Sequence, residues 1–434
     1  MTIELNIFYL LLPLALLGWL AVKRIPWAAA VLVFLAPSYL IKSNIFFIPT
    51  TFLELSIYVV AIVALIKYFW IKENTLVNPF KIAGHFNWVI LIWIFSAALA
   101  VIASNDLRLS LGVLKGWWLD PIIFFYIILA SVRNPSDWLK VLNSFWAGAS
   151  LLAAYGLIEY GIGWGLQTDG LLNSVYLPAN YLAMYLVPAL FIGAALTVHL
   201  WPTRLAKLNL FILAVDLWVL FLTKSYGGYL GLIIGALVFI WLCLAEQKLL
   251  RRRIFLIFIG LLVIAGLVVT RQAKFQKIIS GDPRSSITTR QEIWQTSLLL
   301  IKERPVSGWG LGNFQESYRS HTKYITKTPL EWFVVKAHNL YLNLWVEVGM
   351  LGLLTFLYFV AKYLWNLIPV LKSNIFNRRL WASALVSIII ATLTHGLVDT
   401  PYFKNDLSIV FFLVIGAGLL LQYYEEWRME IIKG

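Results

Sequence analysis

The sequence predicts an all-α fold, a polytopic transmembrane helical bundle of 12–13 spans with one long, partly helical external loop. Three observations carry this. Of 434 residues, 61% are hydrophobic and only 13% charged, with a mean hydropathy of +0.80, which leaves too little polar material for a water-soluble globule. Apolar stretches of about 20 residues, enough to cross a hydrocarbon core of about 30 Å, recur from end to end. They lack the strict polar–apolar alternation of a barrel strand facing a wet lumen, so the spans are helices.

In chain order the spans fall near 5–22, 26–41, 51–70, 86–103, 113–131, 139–161, 177–200, 206–223, 228–245, 254–270, 339–364, 380–398 and 407–424. The first is read as a retained span rather than a signal peptide, having neither a basic flank before it nor a small-residue cleavage site after it. The second is short and broken by Pro37, and a re-entrant hairpin there would make the count twelve. Three parts follow: a bundle over 1–270, an external loop over 271–337 and C-terminal spans over 338–434.

The formal charge of +14 would in a soluble chain raise the question of nucleic acid, but here its distribution answers otherwise. Lys23 and Arg24, Lys67, Lys72 and Lys81, Arg133 and Lys140, Arg204 and Lys207, Arg251 to Arg253, and Lys372, Arg378 and Arg379 all fall on one side of a thirteen-span layout, which marks that side as cytoplasmic. No nucleic-acid partner is expected. The single cysteine, Cys243, excludes an internal disulfide and a thiolate zinc site.

The loop over 271–337 stands apart, with eleven Lys or Arg against five acids on the external side. Loops of more than about 60 residues are exempt from the positive-inside trend, so the topology holds and the charge needs another cause. Thr289 and Glu292 form a capping box, and 290–303 then carries Ile293, Trp294, Ser297, Leu298 and Ile301 on one face until Pro305 stops it. This predicts an amphipathic helix with Arg290 and Trp294 on a shared face. The glycine-punctuated turn that follows, 308–314, lacks the parallel-strand unit of a dinucleotide fingerprint, and no nucleotide is expected there.

Three groups could carry chemistry. His338, beside Lys336 and Asn339, leads into the eleventh span, where the helix dipole and Lys336 both disfavour positive charge on the ring; it is a proton acceptor, or an interfacial histidine that merely caps the span. Lys224, Ser225 and Tyr226 form a tight turn before the ninth span, in which the lysine binds an anion or snorkels to water. His395 and Asp399, four apart, orient each other or form a simple helix-end polar pair. A basic face, a helix-end histidine and an arginine helix suit an anionic, lipid-borne substrate, and diphosphate above all. No external loop carries paired acids at metal-ligand spacing, so no metal and no cofactor are expected. Arg290, His338 and the Lys224 turn should then converge on one external cavity open to lipid.

Ser285, Ser286, Arg290, Trp294, Arg304, Pro305, Gly308, Gly310, Gly312, Asn313 and Phe314, followed by Ala337, His338, Asn339, Tyr341, Glu347, Gly349 and Gly352, resemble the signature of the O-antigen ligase and O-antigen polymerase superfamily. The resemblance covers roughly 205–424. It implies an inverting, metal-independent glycosyltransferase in the cytoplasmic (inner) membrane, with its active site on the external, periplasmic side. Such an enzyme moves a glycan from undecaprenyl diphosphate to a glycan, lipid or protein acceptor. Arg290 and His338 match the essential pair of the family, with Lys224, Ser225, Tyr226, Trp294, Lys336 and Asn339 as candidate substrate contacts. The family's Ser-Arg-Gly turn is Ser225, Tyr226, Gly227 here, so one arginine is missing and Lys224 is the candidate replacement. Ligase is the first reading, with polymerase or protein O-oligosaccharyltransferase as alternatives. A lipid-linked glycan transporter is the rival from another class; it is disfavoured because no internal repeat is visible and the charge concentrates in one external loop.

Overall fold

The computed structural model describes residues 2–45, 48–71, 76–163, 170–244 and 285–425, with isolated residues between 249 and 280. Helices α1 (Ile7–Lys23), α2 (Ile25–Phe34), α3 (Phe52–Ile66), α4 (Pro79–Ala83), α5 (Phe86–Ile102), α6 (Leu107–Leu114), α7 (Asp120–Ser131), α8 (Pro135–Ile162), α9 (Ala179–His199), α10 (Arg204–Leu222) and α11 (Tyr226–Cys243) make up the first part. Then come α12 (Ser286–Glu303), α13 (Phe314–His321), α14 (Leu340–Leu371), α15 (Phe376–His395) and α16 (Asn405–Tyr423). Nine helical segments among the described residues are long and apolar enough to cross a membrane, and α1, α2 and α5 are shorter apolar helices. Eleven of the thirteen expected spans therefore have their helix; the second is cut short, and 254–270 lies outside the described residues apart from isolated positions.

The second expected span is a ten-residue helix, only about 15 Å long. Pro37 then sits at the start of a 3-10 turn, Ala36–Leu40, which leads into a strand. That strand, β2 (Ile41–Ile45), pairs in parallel with β1 (Ile3–Glu4), Ile3 facing Ile41, and antiparallel with β3 (Ile48–Thr51), Lys42 facing Thr51. The hydropathy pattern did not reveal this small sheet, because strands of two to five residues are too short to show a period. Thr51 then caps α3 in a capping box with Glu54.

One hydrophobic core runs from Leu17 to Leu421, so the N-terminal bundle and the C-terminal spans pack as one body. In lipid, close approach and polar contacts hold helices together where a hydrophobic drive cannot. The buried residues of α11 are Gly228, Gly231 and Gly235, and the helix packs on α15 so tightly that a Cβ on Gly231 would lie 2.8 Å from the Ala391 carbonyl oxygen. The isolated charges inside the spans act the same way. Glu54 meets Lys115 at 2.9 Å, Tyr58 donates to Asp120 at 2.6 Å, and Ser150 donates to Asp216 at 2.7 Å.

Lys23, Arg24, Lys67 and Arg133 come from three separate connections yet line one cleft of about 410 Å³.

Candidate functional site

The site is built on the described part of the long loop. α12 begins four residues earlier than expected, because Ser285 rather than Thr289 caps it, accepting from the Thr288 amide at 3.2 Å. The expected capping box does not form. Thr289 donates instead to the Ser285 carbonyl, and the Glu292 carboxylate accepts from the Leu330 amide and the Tyr318 hydroxyl. The helix lies on the bundle, burying Ile293, Ser297, Leu300 and Ile301 in a small core with Trp309, Phe314, Tyr318 and Val346. Leu298, assigned from the sequence to the packed face, is exposed.

The glycine turn has a structural cause. Gly308, Gly310 and Gly312 all have positive φ, and Trp309 and Gly310 donate to the carbonyls of Val346 and Glu347 on α14. At this crossing α14 kinks at Gly349 (φ 77°), where a Cβ would collide with the Val306 carbonyl. The Gly312 amide donates to Glu347 Oε2 at 3.0 Å, and Lys336 Nζ donates to Oε1 of the same carboxylate at 2.6 Å. Lys336 is thus engaged in a buried pair and also lies over the rings of Trp117 and Phe403. Burial pulls its pKa below the ordinary lysine value, with Glu347 opposing. The influence on His338 that the sequence suggested is therefore redirected to Glu347.

His338 lies two residues before α14, in a left-handed conformation (φ 46°), and Asn339 is the N-cap. Asn339 is engaged at both ends of its amide, accepting from Tyr341 and Leu342 and donating to the Leu397 carbonyl at 2.9 Å. Trp294 Nε1 donates to the carbonyls of Ala337 at 3.1 Å and His338 at 3.4 Å, so α12 grips the segment that carries the histidine.

The centre of the cluster is Asp399, buried in the α15–α16 connection. His338 donates from Nδ1 to Asp399 Oδ1 at 3.1 Å, since a carboxylate can only accept, and this leaves Nε2 as the ring's acceptor. Arg290 Nη2 lies 3.6 Å from Oδ2, and the Asn180 amide donates to that oxygen at 2.7 Å. Burial pushes the Asp399 pKa up, but His338, Arg290 and His395 together bring it below the usual carboxylate value, so it is anionic at neutral pH. His395 Nε2 stands 4.0 Å from Oδ2, so the pair noticed in the sequence is one edge of a larger cluster. Arg290 Nε is buried with no hydrogen-bond partner among the described residues.

The Lys224 turn reaches the cluster through Gly227, where a Cβ would stand 2.7 Å from the His395 ring. Lys224 has positive φ (49°) at the turn, and Ser225 caps α11 by accepting from the Gly228 amide. Tyr226 is half-buried at the start of α11. A cleft of about 270 Å³ lies alongside, lined by His338, Asp399, Thr400, Asn180, Tyr181 and Phe333 among others. Asn180 and Tyr181 were not singled out from the sequence. The available signal was an asparagine at the head of an otherwise apolar span.

These features define a polytopic helical membrane protein in which His338 and Arg290, both half-buried, meet the buried Asp399. Residues 209–357, about a third of the chain, match the family described as O-antigen ligase, and the chain resembles that superfamily. The segment holds Lys224, Arg290, Trp294, Lys336 and His338, whereas Asn180, His395 and Asp399 lie outside it. An uncharacterised protein of Haemophilus influenzae is 28% identical over 191 residues, covering 40% of this chain and 46% of that one. A protein of Rickettsia felis, provisionally named a polysaccharide ligase, is 27% identical over 181 residues, covering 39% and 42%. The matched stretch thus spans less than half the length of either relative.

Proposed function

We propose that the chain is a membrane glycosyltransferase of the ligase type, moving a glycan from undecaprenyl diphosphate to an acceptor hydroxyl at the outer face of the cytoplasmic membrane. The convergence of His338 and Arg290 on Asp399 carries this reading, because it sets a proton acceptor beside a fixed cation. His338 Nε2 takes the proton of the acceptor hydroxyl, the oxygen attacks the anomeric carbon of the donor, and the bond from that carbon to the diphosphate oxygen breaks with inversion. The electron pair leaves with the diphosphate, where the Arg290 guanidinium stabilises it. Lys224 is the second cation in this reading. Asp399 fixes the tautomer of His338 and Trp294 fixes its backbone.

The lip of the cleft supports a lipid-borne donor, since Phe333 (74% exposed) and Val335 (58% exposed) line it and would lie against a polyprenyl chain. Ser225 and Asn339, candidate contacts in the sequence, act here as helix caps, and Lys336 holds the loop through Glu347. Incubating the purified protein with an undecaprenyl-diphosphate oligosaccharide and separate glycan, lipid and peptide acceptors tests the proposal. Inverted product formed on a carbohydrate or lipid acceptor, in the presence of chelator, is expected. Transfer that stops with chelator and resumes with magnesium or manganese would overturn the mechanism.

A further inference from the structure

A larger cavity, about 870 Å³, adjoins the His338 cleft, and Leu177 borders both. Its size is that of a small-molecule site. The wall includes the aromatic residues Tyr39, Trp117 and Tyr176, with Lys42, Lys404 and Asn405 as polar groups. The acids at its edge are engaged: Glu54 pairs with Lys115, and Asp106 caps α6 by accepting from the Leu109 amide at 2.9 Å. None of the six wall residues named lies within the matched segment 209–357.

Lys404 is the unusual member. Its Nζ lies 3.6 Å from the ring centre of Tyr181, 4.8 Å from Tyr176 and 5.6 Å from Tyr39, and among the described residues no carboxylate is within 4.0 Å of it. Tyr181 in turn lines the His338 cleft, so this amine stands at the partition between the two spaces. Burial lowers its pKa to about 8, against the pull of Asp406, which leaves it mostly protonated at pH 7. A desolvated cation in an aromatic cage gains most from an anion that can reach it. Trp117 is the most open of the three rings, with its indole N–H donating to Asn405; an indole beside two amines suits a sugar, with an apolar face and a hydroxyl edge, whereas an acyl chain would leave the amines without an anion. The cavity is also tied to the catalytic segment, since Trp117 carries Lys336 on its ring at 4.5 Å.

We propose that this cavity is a carbohydrate subsite that holds an acidic sugar residue of the donor or the acceptor glycan, with Lys404 as the cation for its carboxylate. The proposal rests on the glycosyl-transfer reading and names the substrate chemistry that the matched segment does not encode.

Calorimetric titration of the full chain in phosphatidylcholine nanodiscs, with tetragalacturonate and neutral maltotetraose as probes, tests it. The wild type should prefer the acidic probe at least tenfold. Lys404→Gln should weaken that probe by about 10- to 100-fold without affecting maltotetraose, and Lys42→Gln, at an exposed strand position, by less. His338→Ala should bind like the wild type, so the subsite stands or falls separately from catalysis. In a transfer assay Lys404→Gln should raise KM for one substrate at constant kcat, and which KM moves tells whether donor or acceptor carries the acidic sugar. Equal affinity for the two probes, no binding of either, unchanged binding by both lysine variants, or displacement of the acidic probe by anionic phospholipid would each overturn the proposal.

Discussion

Lys336 and His338 stand two residues apart in the chain, and their contacts with carboxylates have opposite characters. Lys336 and Glu347 are buried at 2.6 Å, with the Gly312 amide on the second carboxylate oxygen and aromatic rings around the amine. At His338 the pattern loosens. Asp399 is shared among His338, Arg290 and Asn180 at 2.7–3.6 Å, the histidine side chain is 32% exposed, and a cleft lies beside it. A closed pair fixes backbone, while the looser cluster leaves the His338 ring at the wall of a cleft. The first steadies the second, because Lys336 is tied to Glu347 and Trp294 holds the carbonyls of Ala337 and His338.

The comparison breaks most decisively at the open cluster. His338→Ala should lower transfer by about 10²- to 10⁴-fold, the usual scale for a lost general base, with the thermal midpoint of the purified protein little changed. Arg290→Ala should fall in the same range, and Arg290→Lys should recover little, because an ammonium cannot offer two prongs to adjacent phosphate oxygens. Wild-type turnover in either alanine variant would place the chemistry elsewhere.

The closed pair should answer in stability instead. Lys336→Met leaves Glu347 buried without its cation and should cost about 3–5 kcal/mol, read as a lower thermal midpoint and a loss of expressed protein. Lys336→Met combined with Glu347→Leu should restore much of that, since an apolar pair removes both desolvation costs. A double variant no better than the single one would mean that Glu347 acts mainly through Gly312.

Acid offers a finer test. The pKa of Asp399 is depressed in the fold, so its contribution to stability is fully present above the usual carboxylate range and is lost as pH falls through its folded value. Thermal midpoints taken from pH 6 down to pH 3 should therefore decline for the wild type with a component that Asp399→Asn lacks. Identical profiles would contradict the depressed value. The smallest effect belongs to Lys323→Ala, at an exposed position whose amine lies over Tyr324; stability should change by no more than about 0.5 kcal/mol and transfer hardly at all.

Composition and apolar run length were enough for the membrane class and for most of the spans, and the charge pattern anticipated that Lys23, Arg24, Lys67 and Arg133 come together. These follow from local composition over about 20 residues, which a bilayer reads without reference to the rest of the chain. The sequence also marked Arg290 and His338, through the motif spacing around them. Tertiary structure decided what those residues meet. Asp399 lies 61 positions from His338, and Asn180 lies 219 positions from Asp399, so no spacing rule connects them. Their meeting depends on how α15 packs against α9 and α14, and on the turn after α15 that carries Asp399. The same holds for the cap of α12. Thr289 and Ser285 both suit an N-cap, and local spacing does not choose between them; in the fold Ser285 caps the helix and the Thr289 hydroxyl donates back to the Ser285 carbonyl. Lys336 shows the limit from the other side: its charge was legible in the sequence, but its buried partner, eleven residues on and across the crossing, was a matter of packing.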